Sequence, residues 1–241
     1  MSIDTAKTLG LEAKKYDIEV SIHAPFYINL ANPNDEMKEK SFNYIIKGLE
    51  FLRAMNGKHL VVHLSSQGKL TRHEAVELTS RRLDECLAKI YNLKLTDMTI
   101  CPETMGKPAQ IGDYKEIVEF CKKDEILIPT FDFGHINALT AGGLKTKEDY
   151  KNILDYAIEN LGFEKIKNCH MHFSKIEFGS KGEVRHLNYD DNLYGPDFEP
   201  LAEVLVEYKL MPTIICESRD LMAEDALILQ NIYQNVKNAR L

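Results

Sequence analysis

The 241-residue chain has no CxxC pair, and its five cysteines (Cys86, Cys101, Cys121, Cys169 and Cys216) form an odd, scattered set. That argues against a disulfide framework; three of them sit inside apolar runs, as buried thiols of a reducing cytoplasm do. No apolar run approaches the roughly 20 residues that span a bilayer, so no membrane is expected as a partner. The opening MSIDTAKTLG lacks the basic-then-apolar order of a secretory signal. Basic residues are the minority, 30 against 37 acidic for a net charge of −7, which excludes the basic balance of a non-specific nucleic-acid coat protein. No Pro/Gly/Ser-rich linker interrupts the chain, and a single domain over residues 1–241 is expected. What is present is 44% hydrophobic, core enough to bury roughly 70–75% of the unfolded surface.

Short apolar runs alternate with long amphipathic ones. Ile18–His23, His59–Leu64, Met98–Glu103, Ile126–Asp132, Ile166–Phe173 and Met211–Glu217 read as strands covered on both faces, because they are nearly continuous rather than alternating. Helix spacing marks Thr5–Lys15, Asp35–Met55, Thr71–Tyr91, Asp113–Lys123, Thr146–Leu161, Phe198–Lys209 and Leu221–Ala239. Thr71 with Glu74 is a capping-box signature, and Thr146 with Asp149 and Ser218 are further candidate caps. This βα alternation predicts a parallel sheet. None of the strand ends carries the glycine-rich phosphate turn of an open dinucleotide-binding sheet. The expectation is therefore an α/β fold of the closed (β/α) TIM-barrel type, with six strands recognised and the first one or two βα units lacking.

Each of these strands carries a chemically similar residue at its end or one position before it: His23, His63, Glu103, Asp132, His172 and Glu217. With 8 His and 37 Asp+Glu in the chain, such endings are expected at roughly one strand in five. The carboxyl ends of strands in α/β folds face the active site. Three imidazoles and three carboxylates would converge there, and unpaired carboxylates in that setting repel and lose hydration. A divalent cluster relieves the cost, and the mixed donors suit zinc, manganese or iron. His135, following Asp132 at the start of the loop, and His186, in the stretch Gly179–His186 read as a loop, extend the set. His170 shares the face of His172 but lies deeper, while His59 and His73 fall on the wrong strand end and on a helix face.

The ordered segments His23-Ala-Pro-Phe-Tyr-Ile-Asn-Leu-Ala-Asn-Pro33, Val62-His63, Pro102-Glu103-Thr104, Phe131-Asp132-Phe133-Gly134-His135, Met171-His172-Phe173 and Cys216-Glu217-Ser218 resemble endonuclease IV. That family is the zinc-dependent apurinic/apyrimidinic endonucleases of the xylose-isomerase-like barrel group. The resemblance implies three zinc ions. His23, His63 and Glu103 would hold the first; Glu103 would bridge to a second completed by Asp132, His172 and Glu217; His135 and His186 would hold a third. The family's remaining third-ion ligand is an Asp two residues before the last His, a position occupied here by Val184. Glu183, one residue earlier, substitutes if the loop shifts, so two to three ions are expected. Leu64-Ser65 replaces the family's Pro-Gly after the second His.

The activity implied is a hydrolase cleaving damaged duplex DNA 5′ to abasic sites, with Glu103 as the catalytic ligand. Phe26 and Tyr27 are placed to wedge into the base stack, and Lys69, Arg72, Lys107, Lys175, Lys181 and Arg185 to meet phosphates. No protein partner is inferred. The alternative is a divalent-metal sugar isomerase or epimerase of the same barrel group, which would use Glu103, Asp132, His172 and Glu217 around one ion and has no need of the other imidazoles. A degenerate barrel kept as a binding module is the third reading, disfavoured because a drifting site sheds ligands.

Overall fold

A computed structural model describes residues 1–239. Contacts divide the chain into two compact units. The first comprises residues 1–103, 109–112 and 119–128; the second comprises 104–108, 113–118 and everything described from Pro129 onward.

In the first unit α1 (Ile3–Lys15) leads to β1 (Ser21–His23), α2 (Asp35–Ala54), β2 (His59–Val62), β3 (Ser65–Ser66), α3 (Arg72–Asn92), β4 (Thr99–Pro102) and β5 (Gln110–Ile111). Strands β1, β2 and β4 form a parallel sheet in that order. The expected apolar stripe of α2 is the buried one: Phe42, Ile45, Leu49 and Leu52 are enclosed. Thr71 caps α3 as anticipated, its hydroxyl accepting from the Glu74 amide while the Glu74 carboxylate accepts from the Thr71 amide. Thr71→Ala removes half of that reciprocal pair and should cost about 1 kcal/mol, measurable as a lowered urea midpoint at unchanged slope.

Helix α4 (Tyr114–Cys121) is followed in the second unit by β6 (Thr130–Asp132), α5 (Phe133–Leu139), α6 (Lys147–Leu161), α7 (Phe163–Lys167), β7 (His170–Phe173), β8 (Lys175–Gly179), β9 (Gly182–Leu187), α8 (Glu199–Tyr208), β10 (Thr213–Cys216) and α9 (Met222–Asn238). Strands β10, β7 and β6 form a second parallel sheet in that order. Its core is aromatic. Phe173 meets Phe198 edge-on at 4.9 Å between centroids, and Phe133 packs on Tyr150 at 5.2 Å. Burial pushes the Tyr150 phenol well above its ordinary range, which keeps its proton in place to bond the Asp197 carbonyl at 2.8 Å.

All six anticipated strands exist, but shorter than their apolar runs. The Ile126–Asp132 run narrows to Thr130–Asp132 because Pro129 has no N–H to offer a ladder. Ile166 and Lys167 belong to α7, not to the strand that follows. Gly179–His186, expected as a loop, is mostly the antiparallel hairpin β8–β9. Ser218 does not cap the last helix: its hydroxyl lies 3.2 Å from Cys216 Sγ, and Leu221 stands at the N-cap. Among the described residues there is no disulfide, and no helix is long and apolar enough to cross a membrane. Burial pushes the Cys86 thiol up to about 12.

Candidate metal centre

In the first unit, parallel register places the donors. His23 stands opposite Val61, and Val61 opposite Cys101. His63 and Glu103 lie two residues beyond Val61 and Cys101, so strand alternation turns all three side chains to one face. They meet there: both His23 Nε2 and His63 Nε2 approach Glu103 Oε2, at 2.9 and 3.1 Å. The ligand atoms of this trio lie within 4.8 Å of one another. Glu103 is fully buried. His23 Nδ1 lies 2.8 Å from the Ala24 carbonyl, an acceptor only, so that nitrogen carries a proton and Nε2 is the ring atom directed at Glu103.

The second unit repeats the logic. Asp132 stands opposite His172, and His172 opposite Ile215; Glu217 lies two residues past Ile215 and shares their face. His172 Nδ1 is 3.2 Å from Glu217 Oε1 and 3.9 Å from Asp132 Oδ2. Asp132 also caps α5, accepting from the His135 amide at 2.7 Å, and its own amide donates to Thr104 Oγ1. One carboxylate thus fixes the helix that carries the next donor. His135 is not on a loop, as expected, but buried in the first turn of α5.

His135, Glu183 and His186 form another trio with ligand atoms within 4.8 Å. His135 donates from Nδ1 to the Thr104 carbonyl at 2.9 Å and turns Nε2 to Glu183 Oε2 at 3.5 Å. His186 is set through Nδ1 by the buried Ser174 hydroxyl at 2.8 Å. Hydrogen bonds that fix the far nitrogen of an imidazole are the usual support of a metal-binding histidine. Gly106 makes the close approach possible: a Cβ there would stand 2.8 Å from the Glu183 Cβ, and its carbonyl accepts from the Glu183 amide at 2.9 Å.

The register of the hairpin explains why Glu183 joins His186 although the two are three positions apart. Glu177 pairs with Arg185 but Phe178 pairs with Glu183, so Val184 has no partner across the ladder and forms a bulge. The bulge absorbs one residue and returns Glu183 to the face of His186. Val184 is turned outward, 57% exposed, and Glu177 and Arg185 pair on the opposite face at 2.6 Å.

The remaining expected residues divide. Phe26, Tyr27, Lys181 and Arg185 are exposed, Arg185 in the ion pair just described. Lys175 does not reach solvent as expected: it is buried, its ammonium held by the Asp191 carbonyl at 2.6 Å and over the Tyr189 ring. His170 is enclosed beside His172, with 5.1 Å between ring centroids, and His59 bonds Thr99 at 2.7 Å at the opening of β2. Desolvation lowers the His59 pKa. The positioning partners Thr104, Gly106 and Ser174 and the bulge at Val184 went unread, since no donor chemistry or spacing in the sequence marks them.

The chain matches the model of the xylose isomerase-like TIM barrel family over residues 2–232. It is 34% identical over 238 residues to an uncharacterized protein of Methanocaldococcus jannaschii, covering 98% of this chain and 84% of that one. A probable endonuclease 4 of Natranaerobius thermophilus is 26% identical over 219 residues, 83% of this chain and 75% of that protein. Among solved structures, a D-tagatose 3-epimerase-like protein superposes with a TM-score of 0.72 at 22% identity, covering 99% of this chain and 85% of that one. Endonuclease IV from Thermus thermophilus follows at 0.66 and 17%, over 98% and 81%. With nearly its whole length matched by the family model, and α/β sheets of the kind described, this chain belongs to the xylose isomerase-like TIM barrel family.

Proposed function

We propose that the chain is a divalent-metal phosphodiesterase of the endonuclease IV type, cutting duplex DNA 5′ to abasic sites. The observation that carries this reading is the trio His135, Glu183 and His186, built in addition to the strand-end donors. A one-ion isomerase has no use for that trio, nor for His23 and His63. The donors fit zinc-class ions: imidazoles whose Nδ1 faces a carbonyl, and carboxylates held at contact distance from them. When bound, such ions supply a water activated near neutral pH and relieve charge on the leaving oxygen.

The residues contribute orientation. Glu103 would hold an ion with His23 and His63; Asp132 orders α5 and thereby His135. Phe26 and Tyr27 offer two exposed rings to a deformed duplex, and Lys181 and Arg185 offer cations to its phosphates.

The metal-loaded protein should nick a duplex carrying a tetrahydrofuran abasic analogue and leave the undamaged duplex whole, as read on a denaturing gel. At least two zinc-class ions per chain are expected from elemental analysis. A loaded protein that spares the damaged duplex while epimerising ketoses would replace this reading with the isomerase one.

A further inference from the structure

A cavity of about 290 Å³ opens in the first unit, with His63 as one of its lining residues. Its floor is the two-residue ladder β3–β5, a feature absent from the expected strand set. Antiparallel register sets Ser66 directly opposite Gln110, so their side chains share one face, while the other pair, Ser65 and Ile111, is buried. Both Ser66 and Gln110 line the cavity.

The polar groups there are incompletely used. Asn29 is locked: its Oδ1 accepts from the amides of Ala31 and Ser66, and its Nδ2 donates to Ser66 Oγ at 2.9 Å. Ser66 Oγ thus accepts one bond and keeps its own proton to donate. Gln110 Oε1 is buried and has no hydrogen-bond partner among the described residues. A shielded acceptor in this state costs stability until a donor meets it. The Ser66 hydroxyl and the Gln110 carboxamide, cross-strand neighbours, are thus the polar side chains that the ladder brings to the cavity lining. At its rim are the rings of Phe26 and Tyr27, 4.3 Å apart between centroids and 73% and 59% exposed.

We propose that this cavity receives one heterocyclic base of a nucleic-acid strand, unstacked from its neighbours. Its ring face lies against Phe26 and Tyr27, and its edge bonds Ser66 and Gln110. The donor–acceptor edge of a base is complementary to the carboxamide and hydroxyl, and exposed aromatic rings are sequence-tolerant platforms for its face. A sugar would meet the same polar pair but has no flat π-face to use both rings. This deepens the nuclease reading and rests on it for the source of the base. It adds that bases flanking the lesion are read, by residues outside the proposed metal-ligand set.

The test uses the full metal-loaded chain and the four deoxynucleoside monophosphates, titrated by calorimetry, with 2-deoxyribose 5-phosphate and fructose as sugar probes. At least one nucleotide should bind and outcompete both sugars. Gln110→Ala and, separately, Ser66→Ala should each weaken it about tenfold at unchanged metal content and circular dichroism. Sugar probes binding as well as the nucleotides, or nucleotide affinity indifferent to both substitutions, overturns the proposal. The two readings fail separately: nucleotide binding lost in Gln110→Ala without nicking of abasic duplex sinks the reaction and keeps the pocket. Nicking with nucleotide affinity untouched by Gln110→Ala does the reverse.

Discussion

Glu103→Gln should lower the zinc-class ion content by at least one per chain and reduce nicking by more than about 100-fold, beyond what loss of an outer-shell partner costs a metal site. Glutamine keeps the shape of the side chain but replaces the charged oxygen with a neutral amide. His23 Nε2 and His63 Nε2 both aim at Oε2, at 2.9 and 3.1 Å, and Glu103 is fully buried. Without the charge, only the two imidazoles of this trio remain to hold a dication. Stability separates this from simple damage. A buried carboxylate deprived of its cation is a liability, so the metal-free variant should melt at the same temperature as metal-free wild type, or higher. A variant that keeps all its ions would reject the site; one that melts well below the metal-free parent would show that Glu103 serves packing instead.

Much of this site was legible because strand chemistry is periodic. His63 and Glu103 could be put on one face with His23, and Glu217 with His172, from the position at which each apolar run ends. The helices with long apolar stripes, such as α2 with Phe42, Ile45, Leu49 and Leu52, were legible for the same reason. What stayed hidden lacks a period. Helix α5 is seven residues long, and the buried Phe133–Ala138 segment gives no amphipathic pattern to read. The hairpin β8–β9 carries Lys175, Glu177, Lys181, Glu183 and Arg185, a polar run that reads as loop until the ladder and the Glu177–Arg185 pair are seen. The buried state of Lys175 depends on the Asp191 carbonyl and the Tyr189 ring, contacts that spacing does not announce. The ladder of Ser65–Ser66 with Gln110–Ile111 joins segments more than forty residues apart, each too short to register as a strand.

The bulge makes the sharpest demand on the proposed third centre. Glu183→Ala should remove one ion per chain, leave the His23, His63 and Glu103 trio loaded, and slow nicking by about 10–100-fold. Deletion of Val184 should do far less. In an unbulged strand, residues two apart share a face, so Glu183 and His186 separated by Arg185 alone would still point together. The deletion removes only the residue that the ladder skips and that is 57% exposed. It also restores the two-residue interval at which the endonuclease IV pattern sets its acidic ligand before its histidine. Ion content equal to wild type in the deletion, and one ion lower in Glu183→Ala, is the expected pair. If instead the deletion strips the ion and Glu183→Ala keeps it, Glu183 is not the ligand. The outward bulge would then be a device of the hairpin alone, and the third centre would have to be sought around His135 and His186 without it.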